Sequence, residues 1–115
     1  MPIAVNATKE TLATAYTALG AWISLHTSDP GSTGANEATG GSPAYGRKQT
    51  TWTAGSSDGI VAGSEVSIDV PAGSFTHAGI WSAATGGNFI DKAAITATTL
   101  GAQGAVKVTP TVTVT

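Results

Sequence analysis

The chain has 115 residues, five Lys and Arg against seven Asp and Glu, a formal net charge of −2, no cysteine, and 10% charged residues against 41% hydrophobic ones. That length suits one ordinary domain with one core, so residues 1–115 are expected to form a single unit. So few basic side chains exclude the stripe that a nucleic-acid binder needs to neutralise phosphates, and the lack of cysteine excludes disulfides and thiolate metal sites.

Met1 to Ala7 carries neither a basic n-region nor a long apolar stretch, so no secretory signal is expected. No run approaches the ~18 apolar residues of a membrane span, and the expectation is a soluble chain made in a cytoplasm. Thr, Ser, Ala and 15 Gly dominate the remainder. Such a composition suits a turn-rich sheet protein. Its charge is far below the roughly 25% of an average soluble domain, which suits a surface partly covered by neighbours.

In chain order, Asn6 to Leu19 is the one predicted helix. Asn6 or Thr8 can cap its start, Leu12, Ala15, Tyr16 and Leu19 give one narrow apolar face, and Gly20 is placed to end it. From Gly20 the pattern turns alternating. Ala21 to Thr27 reads as a strand with Trp22, Ser24 and His26 on one face and Ile23 and Leu25 on the other. Ser28 to Gly46 is punctuated by Asp29-Pro30-Gly31, Gly34, Gly40-Gly41 and Ser42-Pro43, has no period, and reads as an ordered or binding loop.

Arg47 to Thr53 resumes as strand. Gly55 to Gly59 is a turn, and Glu65 to Val70 alternates Val66, Ile68 and Val70 against Glu65, Ser67 and Asp69. Pro71-Ala72-Gly73 turns the chain again. Phe75 to Ala83 and Asn88 to Ala97 flank a hairpin connection at Thr85-Gly86-Gly87-Asn88. Ala105 to Thr115 alternates Val106, Val108, Val112 and Val114 against Lys107 and threonines, with Pro110 placing it at an edge or bending it. One helix (6–19) followed by a β-rich remainder (21–115) predicts a mainly β fold: an antiparallel β-sandwich or jelly-roll-like barrel with one N-terminal α-helix.

The chemical motifs are thin. Gly55-Ser56-Ser57-Asp58-Gly59 fits the G-x-S-x-G spacing of a nucleophile elbow, but Ile60 to Val70 reads as strand where that chemistry needs a helix, so a polar turn is the reading. Gly41 to Lys48 has the outline of a phosphate loop, but Pro43 removes a cradling N–H and a strand follows. His26 and His77, even with Asp29 or Asp91, are a poor ligand supply for zinc, and a hydrogen-bonded packing role is expected for each. Asp29 and Glu37 fail the calcium-loop spacing, since Gly31, Thr33 and Gly40 stand where acids belong. Trp22, Trp52 and Trp81 are expected in the core, with an interface anchor or a sugar platform as the alternative. No cofactor and no catalytic set are expected.

The stretch Trp22 to Gly31, continued through Gly34 to Tyr45, Arg47 and Trp52, together with Val70 to Ala83, resembles a module of small virion proteins of actinobacterial tailed phages. Those proteins are described as minor tail, tail-fibre-like or head-decoration proteins. The resemblance covers about two thirds of the chain and implies a non-enzymatic β domain that self-assembles or binds a larger virion protein. With Thr115 as the last residue, it implies first a capsid decoration or minor capsid protein that binds the major capsid protein. A minor tail or tail-fibre-base protein is the alternative, and a small carbohydrate-binding module a more distant one. A homo-oligomer, by analogy a trimer, is expected in the virion. The long loop and the last strand are the expected contact elements, which makes Asp29, Asn36, Glu37, Tyr45, Arg47, Val112 and Val114 the candidate interface residues, because an exposed alternating edge invites a partner strand.

Overall fold

The computed structural model describes residues 3–115 and is mainly β, with antiparallel sheets and a single N-terminal helix. The helix α1 runs Asn6–Thr17 and ends short of the expected Leu19, with Ala18 as C-cap. Val5 is the N-cap and no side chain caps the start, so neither Asn6 nor Thr8 has that role. The buried face also differs from the expected one. Ala13 and Thr17 are buried, whereas Leu12 is 43% and Leu19 58% exposed. The side chains buried in this contact are therefore small ones. Gly20 is needed for close approach rather than for a left-handed turn: a Cβ there would sit 2.3 Å from the Trp81 carbonyl oxygen.

Nine strands follow, β1 Trp22–His26, β2 Lys48–Gln49, β3 Trp52–Ala54, β4 Ile60–Gly63, β5 Val66–Val70, β6 Gly73–Trp81, β7 Phe89–Leu100, β8 Gly104–Val108 and β9 Thr111–Thr113. They form a four-stranded sheet in the order β2-β1-β6-β7, a three-stranded sheet β3-β4-β9, and the pair β5-β8. Two predicted strands prove to be two strands each. Residues 47–53 divide at Thr50, whose N–H donates to the Ala21 carbonyl and whose hydroxyl donates to the Ser64 carbonyl, so the chain leaves one sheet and enters another. Residues 105–115 divide at Pro110, which lacks the N–H a ladder needs. Before it, β8 pairs with β5; after it, β9 forms the edge beyond β4.

The strand β1 is the axis of the fold. It pairs along its whole length with β6, from Trp22 opposite Trp81 to His26 opposite His77. Its residues Ile23, Ser24, Leu25 and His26 are all 1% exposed or less, so both faces are covered. On one face, Ile23 and Leu25 join Phe75 and Ala78 of β6 against Val66, Ile68 and Val70 of β5 and Val106 of β8. The predicted alternation of β5 is what delivers its three apolar side chains to this core. Each such side chain, fully buried, contributes roughly 1.5–3 kcal/mol. The other face of β1 carries the polar Ser24 and His26 and is closed by the long loop. The helix sits instead on β3, β4 and β9.

Ile68 is 0% exposed at the centre of the core, so Ile68→Ala should lower stability by about 2–5 kcal/mol through lost burial and a cavity. Ile60→Ala, on the exposed side of β4, should change it by no more than about 0.5 kcal/mol. Urea unfolding of the two variants checks the contrast.

Candidate functional site

The polar face of β1 sets the problem from which the site is built: a serine and a histidine without access to water must find partners. They find them in a line. Trp81 Nε1 donates to Ser24 Oγ at 3.0 Å, and Ser24 Oγ lies 2.7 Å from His26 Nε2. His26 Nδ1 faces the Ala35 carbonyl at 2.8 Å. A carbonyl only accepts, so Nδ1 carries a proton, and in the neutral ring Nε2 accepts from the Ser24 hydroxyl. Burial pushes the His26 imidazole below its ordinary value, which the carbonyl of Ala35 and the charge of Glu37 oppose without reversing.

A Ser–His contact of this kind has the geometry of an activated nucleophile. Here both residues are 0% exposed and the serine oxygen is already held by Trp81, so the pair closes a core. The packing role expected of His26 is what it has. Among the described residues no group of three His, Asp or Glu is arranged to hold a metal, and no helix is long and apolar enough to cross a membrane.

Above this line lies the loop 27–47, and the candidate residues of the sequence hold it in place. Asn36 adopts a left-handed conformation, φ 63°, donates from its amide to the Asp29 carbonyl, and accepts the Thr27 N–H with its own carbonyl. Asp29 accepts the Gly31 N–H, the local turn expected before Pro30, and also pairs with Lys92 of β7. Both contacts hold its carboxyl below the usual range, that with Lys92 the more strongly. The solvent-exposed pair with Lys92 adds little stability.

Glu37, Tyr45 and Arg47 make the firmer junction. The Arg47 guanidinium grips Glu37 through two bonds of 2.8 and 2.9 Å and reaches the carbonyls of Ala83 and Gly86 at 3.0 and 2.9 Å. Its carbon lies 3.6 Å from the centre of the Trp81 ring. Tyr45 donates to Glu37 at 2.7 Å and accepts the Leu25 N–H of β1 at 3.2 Å. Burial pushes the Glu37 carboxyl up, but bonds from Arg47 and Tyr45 and the Arg47 charge together hold it below its ordinary value. Burial, then the bond to Glu37, pushes the Tyr45 hydroxyl well above the usual phenol range. Gly34 completes the fit: with φ 78°, it lies where a Cβ would strike the Trp81 ring at 2.3 Å.

Five candidates therefore come together, while two do not. Val112 of β9 and Val114 line a different feature, an apolar cleft of about 480 Å3 between β9 and the middle of β6 and β7, with Tyr16 of α1 and Asp91 of β7 at its wall. Tyr16 donates to Asp91 at 2.7 Å, and burial followed by that bond raises its hydroxyl far above the usual range. Glu37, Tyr45 and Arg47 border a shallower cleft of about 260 Å3 facing Ala84 to Gly86. The sequence reading missed Ser24, Trp81 and Phe89 as the support beneath Arg47; Phe89 meets Trp81 edge-on at 5.1 Å. A period-two pattern with a polar side was the available signal for Ser24. Trp81 is buried, and Trp22 and Trp52 are half-buried, with Trp52 Nε1 bonded to the Gly20 carbonyl. The Trp81 ring is covered by Arg47 on its face and met edge-on by Phe89.

A family model described as podophage GP4 fiber I protein gp80 matches residues 5–115. No curated protein and no solved structure matches the chain.

Because the folded His26 binds its proton less readily than the unfolded residue, its contribution to stability is fully present above about pH 6.5 and is lost as pH falls through the lower folded value. The melting temperature should therefore fall between pH 7 and pH 5, and His26→Gln should flatten that slope. Arg47→Lys keeps the charge but gives up the two-pronged grip and the stack on Trp81. It should cost about 2 kcal/mol and speed proteolytic cleavage within residues 28–46, read by urea unfolding and limited thermolysin digestion.

Proposed function

The chain belongs to the podophage GP4 fiber I protein gp80 family, and from that premise we propose that it is a non-enzymatic structural component of a phage tail fibre or fibre base, working by packing against other virion proteins. The match over residues 5–115 carries this reading, because it spans the helix, every strand and the pinned loop alike. The family is described by a fibre, which favours the tail position over the capsid shell that the sequence resemblance placed first.

The chemistry of the chain supports action by contact. The Ser–His pair is sealed, the polar junction at Arg47 is satisfied within the chain, and the cleft beside β9 is mainly apolar. What remains for a partner is surface: the low-charge exterior, the cleft beside Val112 and Val114, and the outer side of β7 at the edge of its sheet. A docking partner gains from covering such surface because apolar area leaves water.

Quantitative mass spectrometry of intact virions, isolated heads and isolated tails tests the placement. The chain should travel with tails at low copy. Hundreds of copies travelling with heads would restore the decoration reading, and absence from all three fractions would remove the structural role.

A further inference from the structure

We propose that the cleft between β9 and the four-stranded sheet receives a short extended peptide segment of a partner chain. That segment adds a strand to β9 and brings a Lys or Arg to Asp91. The inference deepens the reading of a protein that works by packing, and it rests on that reading for its setting in the virion.

The first observation is the backbone of β9. Val114 N–H donates to the Gly59 carbonyl at 2.9 Å, and Gly63 N–H donates to the Pro110 carbonyl at 2.8 Å. In an antiparallel ladder, residues whose polar groups face the neighbour alternate with residues whose groups face away. With Val112 opposite Val61, residues 110, 112 and 114 turn theirs toward β4. The N–H and C=O of Thr111 and Thr113 therefore point the other way. No strand lies there, because β9 ends its sheet, and both threonines line the cleft. Two donor–acceptor sets roughly 7 Å apart along a strand are what an added strand satisfies.

The second observation is the floor. Pro110 sends β8 and β9 to different sheets, and beside that crossing the apolar face of the large sheet lines the cleft of about 480 Å3. Ile23, Ala78, Ile80 and Ile95 are its floor, with Val112 and Val114 on the facing bank. A three-residue edge holds a partner only weakly through its backbone. The floor adds burial for alternate side chains of the same segment.

The third observation is charge. Asp91 stands opposite Ile80 in the ladder and lines the cleft. Tyr16 donates to one of its carboxylate oxygens at 2.7 Å and the Lys92 N–H to the other at 2.8 Å. Neither contact brings a positive charge. Among the described residues the ion pairs join Arg47 with Glu37 and Lys92 with Asp29. A carboxylate without a cation beside an apolar floor favours a partner that brings one. Together the three features select an occupant that is extended, apolar at alternate residues and cationic at one of them.

Heptapeptides selected from a random library on the folded full-length chain should combine a Lys or Arg with alternating apolar residues. Bound to isotope-labelled chain, a selected peptide should shift the amide resonances of residues 91–95 and 109–114. It should also slow hydrogen exchange at the Thr111 and Thr113 N–H. Asp91→Asn should weaken its binding about tenfold, and norleucine in place of the peptide's cation should remove that sensitivity. Methylating the peptide nitrogens that face β9 should abolish binding, whereas methylating the alternate ones should not. If Asp91→Asn fails to fold, the norleucine and methylated peptides decide. A library without binders, a binder that maps to the loop side, or indifference to Asp91→Asn would overturn the proposal. So would equal binding by the two methylated peptides, hexylamine binding as tightly as the peptide, or a second copy of the chain filling the cleft. Peptide binding by a chain absent from virions would sink the structural role and leave the groove standing. A chain found in tails that binds no peptide would do the reverse.

Discussion

The contact between Arg47 and the pair Glu37 and Trp81 is the point on which the loop side of the molecule depends. One guanidinium, stacked on an indole and gripping a carboxylate, joins three stretches distant in sequence: the far end of the loop, the strand segment at Glu37 that bridges to His26, and the turn between β6 and β7. The planar fork makes this possible, since it donates in several directions within one plane while its face rests on an aromatic ring. With the side chain of Arg47 only 8% exposed, its charge needs the carboxylate beside it, and the loop cannot leave without stranding both.

The junction matters because β1 is buried on two sides of different character. Its apolar side is covered by β5 and β8 through side-chain burial, which requires little geometric fit beyond volume. Its polar side offers a serine and a histidine, which need partners in fixed directions. The loop supplies the Ala35 carbonyl, β6 supplies Trp81, and Arg47 clamps the loop so that these partners stay in reach. A loop of this length without secondary structure would ordinarily be loose. Here it is a wall of the core.

The same logic separates what the chain satisfies within itself from what it leaves open. Polar groups around Glu37 and His26 are internally paired and offer little to a partner. Exposed apolar side chains lie elsewhere, on α1 and its flanks and around the cleft beside β9.

By itself the sequence determined the class of fold and most of its strands. The alternation at Val66, Ile68 and Val70, the Gly-rich hairpin connection after Trp81 and the aperiodic stretch from Ser28 to Gly46 are local signals, each set by the period of a strand or the needs of a turn. Asp29, Asn36, Glu37, Tyr45 and Arg47 were legible as one contact-bearing segment, though not as a set that binds inward. Only the tertiary structure decided that direction, because it depends on Trp81, thirty-four residues beyond Arg47, lying beneath the guanidinium. The tertiary structure likewise divided two runs at Thr50 and Pro110 between sheets, and turned α1 so that Ala13 and Thr17, rather than Leu12 and Leu19, face the protein. Periodicity shows that a helix has an apolar side, but the shape of the surface it meets decides which side is buried.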